Sequence, residues 1–356
     1  MHLRVLVLAL LAGALGIAVC AAPAPNLIDY FRPMPITSPL TSAAWGLPSV
    51  LPRDVNNGLE DKTNSSWSYW DGKILKAKDG RYHLFASRWP EAEGHHAWGR
   101  SVAIHAVSDT VTGPYIDQGP FFTDHESRGH NVTALELPDG RYAVLLSETR
   151  PGDVYLSSSL DGPWEFQGSI QYDREGFTDR GPSNWSIVAR DEGGFLIVTR
   201  HGLILLSTDS ILGPYKVQGK TVYPDLPGLE LRTAEDPVIW YSGGRYHIVV
   251  NWWNARKAYH LTSLDGIHDW QLVGLAYDPR VDFVRYTDGT VNRWTKLERP
   301  GVYLENGHVT HFTFAVIDSE KDDDKGGDNH NSKVIVVPFD GAAFDAALAA
   351  PAPLAP

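Results

Sequence analysis

The sequence predicts an all-β fold, a five-bladed β-propeller, from two repeated markers and from the size of the unit that carries them. The first marker is a tight glycine turn followed by an aromatic-aliphatic run, and it begins at residues 79, 139, 193, 243 and 306. Asp-Gly, Gly-Gly and Asn-Gly pairs before such runs are strong hairpin signals, because tight turns need positive φ. The period of about 50 to 60 residues matches a blade of four strands.

The second marker follows the first in most units and indicates the outer part of each blade. It consists of Ser and Asp at the end of a strand, a turn that usually contains Gly-Pro, and an aromatic residue that opens the next strand. It occurs at residues 108–115, 159–164, 207–215 and 263–270. A β-sandwich with similar hairpins is the alternative, but both markers recurring in the same order favours the propeller.

The two ends of the chain differ in composition from the repeats. Residues 1–22 combine Arg4, an apolar run over 5–19 and two final alanines, which is typical of a secretory signal peptide. The run is near the length of a membrane span, so an uncleaved anchor is the alternative. We expect an N-terminal arm or linker over 23–48, the propeller over 49–341 and an Ala/Pro-rich tail over 342–356. The protein is then secreted or periplasmic, with no membrane association once the signal is cleaved.

Composition narrows the class of partner. The formal net charge is −12, which argues against a nucleic-acid partner, because phosphate binding needs a basic face. Twelve Trp residues are many for 356 residues. Most of them are expected in the core, and the sharper interpretation is a carbohydrate site with flat rings against sugar faces. We therefore expect an oligosaccharide or polysaccharide as the partner.

The residues that open each blade are the candidates for the functional site. In a propeller, the residues just before the innermost strands converge on one face. The five openings supply Trp67 and Asp71, then His130 and Asn131, then Asn184, then Glu235 and Asp236, and finally Glu298 and Arg299.

These openings carry enough carboxylates for glycoside hydrolysis, which needs two carboxyl groups flanking the scissile bond. The candidates are Asp71, Glu235, Asp236 and Glu298. Adjacent strand residues point to opposite faces, so Glu235 and Asp236 are not expected to project into the pocket together. One of them would instead accept a hydrogen bond from a neighbouring blade.

The other opening residues have more than one interpretation. His130 can serve as a general acid, as a hydrogen-bond partner of a sugar or as a structural link. Arg299 can bind a substrate carboxylate or pair with an acidic neighbour. Asn131 and Asn184 are natural partners for hydroxyl groups.

Two loops complete the predictions from the residues. The segment 88–98, which begins with Arg88, suggests a pocket wall, with a Trp covering the blade edge as the alternative. The acidic run 318–328 lacks the spacing and final Glu of an EF-hand, so we interpret it as a mobile solvated loop. Phosphate-loop, dinucleotide and paired-cysteine motifs are absent from the sequence. We expect no cofactor, with a structural Ca²⁺ in the central channel as the alternative.

Five stretches together give the chain a family resemblance. They are DGRYHLFASRWP at 79–90, AVSDTVTGPY at 106–115, GHN at 129–131, EDPVIWYSGGRYH at 235–247 and DGTVNRWTKLERP at 288–300. The chain resembles the five-bladed glycoside hydrolases of families 43, 62, 32, 68, 117 and 130, and is most similar to their uncharacterised bacterial members. The resemblance implies a secreted or periplasmic carbohydrate-active enzyme with a funnel-shaped pocket.

The resemblance also implies site roles, which this sequence meets only in part. The family 43 pattern places an Asp base in blade one, an Asp in blade two and a Glu acid in blade three. Asp71 matches the first position, whereas His130-Asn131 and Asn184 stand in the other two openings. That arrangement is more similar to family 117, where a His has been proposed as the acid.

The leading hypothesis is an exo-acting glycoside hydrolase that acts on plant or algal oligosaccharides. Asp71 is the expected base, Glu235 or Glu298 the acid, and Asp236 an orienting group. A carbohydrate-binding propeller without catalysis is the first alternative, because blades two and three lack the expected carboxylates. The second is a polysaccharide lyase that uses His130 and a Tyr, with Arg299 neutralising a uronate.

Overall fold

A computed structural model describes residues 25–349, and the predicted signal peptide and the last part of the predicted tail lie outside them. Within that range the chain forms five antiparallel sheets, each built from strands that are consecutive in sequence. The innermost strands of neighbouring sheets pack against one another around a ring. The predicted all-β, five-bladed propeller is confirmed.

Four blades have four strands and the fifth has three. Blade one consists of β1 (Trp67–Lys76), β2 (Tyr82–Pro90), β3 (Val102–Ser108) and β4 (Ile116–Pro120). Blade two consists of β5 (His130–Glu136), β6 (Tyr142–Glu148), β7 (Asp153–Ser157) and β8 (Glu165–Ser169). Blade three consists of β9 (Ser186–Ala189), β10 (Phe195–Val198), β11 (Ile204–Ser207) and β12 (Lys216–Val217). Blade four consists of β13 (Ala234–Ser242), β14 (Arg245–Trp252), β15 (Lys257–Ser263) and β16 (Gln271–Tyr277). Blade five consists of β17 (Lys296–Glu305), β18 (His308–Ile317) and β19 (Ser332–Pro338).

The burial of the strands follows their position in the blade. The second strands are apolar and buried on both faces, because each blade is covered by a neighbour on either side; six of the seven residues of β6 are buried. The outer strand β4 instead alternates between exposed and half-buried residues, since it lies at the rim. This arrangement puts the hydrophobic core between the blades and leaves the central channel to the ends of the inner strands.

The fifth blade is completed by residues from the start of the described chain. The backbone amide of Leu59 donates to the carbonyl of Val334 at 2.9 Å, and the amide of Val334 donates back at 3.0 Å. Phe31 forms a further bridge with Phe339. Part of the predicted N-terminal arm, including Phe31, is therefore buried in the core of blades four and five.

A helix follows the last strand, within the range predicted as a tail. Helix α1 (Gly341–Ala349) buries Phe344 against the same core, and its Asp345 carboxylate contacts His308 Nδ1 at 2.6 Å. The rest of the tail is outside the described residues. Among residues 25–349, no helix is long and apolar enough to cross a membrane.

We predict that Gly58→Ala destabilises the protein much more than Gly80→Ala. Both glycines have positive φ, +76° and +94°, so each substitution carries a backbone strain of about 1 kcal/mol. A Cβ at Gly58 would lie 1.9 Å from the Val334 carbonyl oxygen and would break the closure of blade five, whereas Gly80 has open space. Thermal unfolding should show a melting temperature for Gly58→Ala that is lower than that of Gly80→Ala by about 4 °C. Equal melting temperatures would contradict the closure.

Candidate active site

Each inner strand has a non-glycine residue in the left-handed backbone region, within its first half or just before it. Their φ angles lie between 47° and 68°, at Asp71, Asn131, Asn184, Asp236 and Arg299. Asn and Asp enter this region more readily than other residues with a side chain, because their short polar groups hydrogen-bond locally, whereas Arg299 is strained. All five residues are buried and form a ring around the channel. We call them the left-handed ring.

The left-handed ring changes which side chains share a face. The pairing of β13 with β14 shifts register between Glu235 and Val238, which is a β-bulge at Asp236. The bulge interrupts the strand alternation, so Glu235 and Asp236 both line the same cavity. The expectation that these two carboxylates would be separated is therefore wrong.

Two adjoining cavities occupy the face of the propeller where the blades open. The inner cavity has a volume of about 140 Å³ and the outer cavity about 830 Å³. Arg200, Glu235, Glu298 and Lys321 line both and mark the junction. The inner cavity is otherwise lined by Trp70, Trp89, His95, Trp98, His130, Asn131, Glu148, Asn184 and Asp236.

Three carboxylates meet at this junction. Glu235, Asp236 and Glu298 each offer one oxygen atom, and these three atoms all lie within 4.8 Å of one another. Each carboxylate also has a cationic partner. Arg200 Nη2 donates to Glu235 Oε2 at 2.9 Å and Arg299 Nη1 to Asp236 Oδ1 at 3.4 Å, while Lys321 Nζ donates to Glu298 Oε2.

The same spacing would allow the three carboxylates to share a divalent cation. Ca²⁺ takes six to eight oxygen ligands, however, and here the carboxylates are already paired with side-chain cations. The narrow channel below, with a volume of about 30 Å³, holds the Arg299 guanidinium 3.3 Å from Asp71 Oδ1. A Ca²⁺ in that channel would face a fixed positive charge, so the described residues fit it poorly.

The surroundings of Glu235 favour its protonated form. Burial raises the pKa of Glu235 to about 8, and the neighbouring Asp236 and Glu298 carboxylates add to the increase. Lys321 and Arg200 oppose it without cancelling it. Burial raises the pKa of Asp236 as well, so this adjacent pair favours a bound proton beside the Glu298 carboxylate, which is hydrogen-bonded to an ammonium group.

Asp71 lies below the inner cavity and takes part in a different network. Only 1% of its surface is exposed, and its Oδ2 accepts hydrogen bonds from Ser87 Oγ at 2.6 Å and from the Val132 amide at 3.0 Å. Ser87 Oγ in turn lies 3.0 Å from His130 Nδ1. Asp71 thus supports the position of His130 through Ser87.

This network determines which nitrogen of His130 carries the proton. Ser87 uses its hydroxyl hydrogen on Asp71, and Ser101 uses its own on the Gly129 carbonyl. Both hydroxyl oxygens lie 3.0 Å from His130 Nδ1 and can only accept from it, so Nδ1 is the protonated atom. Burial lowers the pKa of His130 to about 4, so the ring is neutral and Nε2 is a hydrogen-bond acceptor.

The remaining predicted residues divide between the site and the body of blade one. Asn131 and Asn184 line the inner cavity, as do His95 and Trp98 from the segment predicted as a pocket wall. Trp67 and Arg88 line neither cavity, because Arg88 stacks over Trp67 at 4.0 Å and pairs with Asp117. Along β2 the side chain of Ser87 points to the channel, so that of its neighbour Arg88 points away.

Sequence reasoning missed Glu148, Arg200 and Lys321. The first two lie at the ends of second strands, and Glu148 is directly opposite His130 in the register of blade two. Because the end of a second strand faces the start of the first in an antiparallel hairpin, these positions could have been found by pairing each opening with its partner. Lys321 comes from a long loop, and no sequence signal placed it.

The fold and the site geometry can now be compared with known proteins. No protein-family model matches the chain, and no curated protein matches it. Solved structures do match, and they show that this chain is a five-bladed propeller similar to glycoside hydrolases of families 43 and 117. The resemblance found in the sequence is therefore confirmed at the level of the fold.

Three of these structures illustrate the similarity. A family 117 glycoside hydrolase of the marine bacterium Zobellia galactanivorans is 14% identical with a TM-score of 0.53, covering 80% of this chain and 88% of its own. A mutant α-L-arabinanase of Cellvibrio cellulosa is 14% identical with a TM-score of 0.51, and the match covers 78% of this chain and 94% of the arabinanase. A thermostable family 43 glycoside hydrolase is 12% identical with a TM-score of 0.50, and the match covers 76% of this chain and 89% of the hydrolase. Identities this low show the shared fold alone.

We predict that ¹⁵N NMR of the histidines will find His130 protonated at Nδ1 and unprotonated at Nε2 at neutral pH. The ring should titrate at about pH 4, because burial disfavours its charged form. Ser87→Ala removes one of the two acceptors of Nδ1 and should increase the population of the other tautomer. His130→Asn identifies the resonances. A protonated Nε2 in the unmodified protein would exclude the hydrogen-bond assignment above.

Proposed function

We propose that the protein is a secreted or periplasmic glycoside hydrolase that removes terminal sugars from plant or algal oligosaccharides. One observation carries the proposal. A buried carboxyl group with a raised pKa, Glu235, has an oxygen atom within 4.8 Å of an oxygen of a second carboxylate, Glu298, that is held by an ammonium group. Two carboxyl groups with opposite proton occupancy are what glycoside hydrolysis requires.

In this proposal Glu235 is the general acid. Its side chain lies at the junction of the two cavities, where a bond between a sugar in the inner cavity and a group in the outer cavity would pass. A general acid must hold its proton at the working pH and release it to the leaving oxygen, and the raised pKa of Glu235 meets the first condition.

Glu298 is the ionised partner in this assignment. It is 3% exposed, and its carboxylate receives a hydrogen bond from Lys321, with Lys296 Nζ 3.8 Å from the other oxygen. These ammonium groups stabilise the negative charge that the second carboxylate needs, whether it attacks the sugar or activates a water molecule. Asp71, the base expected from the sequence, is instead proposed to fix His130, because it does not reach the inner cavity.

The polar atoms of the inner cavity support a sugar as the ligand. Asn184 Oδ1 and His95 Nδ1 are buried there and have no hydrogen-bond partner among the residues that the structure describes. Unpaired buried polar atoms are costly, so a ligand with several hydroxyl groups would satisfy them together with the acceptor Nε2 of His130. Trp70, Trp89 and Trp98 supply apolar ring surface around these atoms.

The shapes of the two cavities support exo action. The inner cavity is the smaller, and tryptophans and the His95–Arg100 segment form its walls. The outer cavity falls within the range of about 300–1,000 Å³ typical of ligand sites and opens outward. A terminal sugar would occupy the inner cavity and the rest of the oligosaccharide the outer one. The proposed location rests on residues 1–22, which lie outside the described chain.

We predict that Glu235→Gln lowers kcat/KM by about 10²–10⁴-fold, because the amide cannot donate a proton to the leaving group. In the unmodified enzyme, activity should persist below pH 8 and fall as pH rises through about 8, where Glu235 loses its proton. Reducing-sugar release from arabinan-, xylan-, agar- and carrageenan-type oligosaccharides measures both effects.

Glu165→Gln on the exposed outer strand β8 is the matched control and should leave activity unchanged. An alkaline limb that survives in Glu235→Gln would assign the acid role to another group. Binding of one of these oligosaccharides without any release of reducing sugar would favour the binding propeller. An unsaturated uronate product, detected by its absorbance, would favour the lyase.

We predict that a chromatographic time course shows monosaccharide product from the first turnovers, without intermediate-length fragments. The buried Trp70 and Trp89 line the inner cavity, and in the proposed exo mode their rings stop the chain from extending past the terminal sugar. Oligosaccharides whose non-reducing terminus is chemically blocked should therefore not be cleaved. Early release of mixed fragments from blocked substrates would exclude exo action.

A further inference from the structure

The loop between β18 and β19 is anchored in the molecule at several points, although Asp322, Asp323 and Lys325 are exposed as expected of a solvated loop. Asp318 and Asp324, which were expected in solvent, are 0% and 2% exposed. The backbone amide of Leu47 donates to Asp318 Oδ2 at 3.0 Å, and His330 Nδ1 contacts the same oxygen at 2.9 Å. These two carboxylates are buried because Asp318 accepts from the Leu47 amide of a distant segment and Asp324 Oδ1 accepts from the Gly326 amide of the same loop at 3.1 Å.

The loop is joined to the segment that forms the wall of the inner cavity. The Gly327 amide donates to Glu91 Oε1 at 2.9 Å, and Asp322 Oδ1 contacts His96 Nε2 at 2.7 Å. A Cβ at Gly326 would lie 2.4 Å from the backbone of Ala92, so the two segments approach as closely as a glycine allows. These contacts fix the position of the residue at the inner end of the loop, Lys321.

Lys321 reaches from this loop into the junction of the two cavities. Its Nζ donates to Glu298 Oε2 and lies 5.0 Å from the centroid of the Trp70 ring. Only 28% of its side chain is exposed. A charge-assisted hydrogen bond in such partly dry surroundings is stronger than the same bond at the surface.

We propose that Lys321 is a positioning residue of this site, which holds the Glu298 carboxylate in its orientation and stabilises its negative charge beside Glu235. The inference rests on the proposed hydrolase function and adds the group that assigns the two carboxyl roles. It also explains why a loop remote in sequence from the blade openings is anchored so firmly.

The other charged groups around the carboxylates have different partners. Arg200 is bonded to Glu235, and Arg299 bridges Asp71 and Asp236. Lys296 is shared at 3.8 Å and 4.0 Å between Glu298 and Glu320. The titratable and charged groups nearest to Glu235 and Glu298 are Asp236, Tyr277, Lys296, Lys321, Arg200 and Arg299. Those further out in and around the two cavities are His95, His96, His130, Glu148, Asp179, Arg180, His201, Arg232, Arg256, Glu320 and Asp322.

Among these cations only Lys321 hydrogen-bonds to Glu298 within the described chain. Burial lowers the pKa of Lys321, but the Glu298 and Glu235 carboxylates outweigh it, so the pKa is raised and the ammonium stays charged. Burial lowers the pKa of Lys296 even though Glu298 opposes the change. Lys296 is therefore the weaker counter-ion and cannot replace Lys321.

Removing the ammonium has a defined effect on both carboxyl groups. Without it, the Glu298 carboxylate loses its hydrogen-bonded counter-ion, which destabilises its charged form in the variant. Glu235 keeps its proton to higher pH, because Lys321 lowers its pKa in the intact site. The acid limb and the alkaline limb of the pH–rate profile therefore both move to higher pH.

The experiment compares pH–rate profiles of kcat/KM for the unmodified enzyme, Lys321→Met, Lys321→Arg and Lys325→Met. We expect Lys321→Met to shift both limbs to higher pH by about one unit or more, which lowers kcat/KM at least tenfold on the acid side. Lys321→Arg should return the limbs toward their original positions. Lys325→Met removes an exposed charge from the same loop and should change neither limb.

A second measurement keeps this inference separate from the proposed function. Infrared spectra recorded against pH follow the protonated carboxyl groups without substrate, and Glu235→Gln and Glu298→Gln identify their bands. If no oligosaccharide is hydrolysed, the function fails, but an upward shift of both bands in Lys321→Met still supports the role of Lys321. The role of Lys321 would be overturned if neither the limbs of the pH–rate profile nor the infrared bands moved in Lys321→Met, and if Lys321→Met and Lys321→Arg lost activity equally. Thermal unfolding verifies that each variant is folded.

Discussion

The left-handed ring is the constraint on which the rest of the site depends. A regular inner strand would send Glu235 and Asp236 to opposite faces, and only one of them could meet Glu298. In β13 the positive φ of Asp236 lies in a bulge, so that Glu235 and Asp236 both line the inner cavity. The strain is smallest at Asp71, Asn131, Asn184 and Asp236, and it is greatest at Arg299, whose guanidinium binds two buried carboxylates.

Charge balance is the second principle of the site, and it follows from the first. The ring and its neighbours bring Asp71, Glu235, Asp236 and Glu298 close together, three of them buried and Glu235 half-buried. Such a cluster is tolerable only if protons or cations neutralise it. Arg299, Arg200, Lys321 and Lys296 supply cations around the cluster, and the burial of Glu235 beside two further carboxylates still raises its pKa, which provides an acid next to a carboxylate held by an ammonium group.

The fold was predictable because its signals are local and repeated. Glycine turns such as Asp79-Gly80 fix hairpins through backbone geometry alone, and five of them at a blade-sized spacing leave few alternatives. The openings were predictable for the same reason, and His130, Asn131, Asn184, Glu235, Asp236 and Glu298 all line the inner cavity. The sequence placed Asp71 and Arg299 in the blade openings, but their depth below the cavity depends on bulges that no sequence pattern marks. The place of Lys321 in the site could not be predicted from the sequence, because it depends on contacts of a long loop with distant segments.

The closure of blade five links the two ends of the described chain and has a consequence for how the molecule acquires its structure. The partner of Leu59 is Val334, so the ring cannot close until almost the whole chain is available. Contacts so distant in sequence form slowly, because the entropy of a long loop must be lost first. Until then β19 presents an unpaired edge, which invites pairing with other chains. Synthesis that stops before β19 would leave an open ring with Glu298 in place but without the strand that anchors the Lys321 loop.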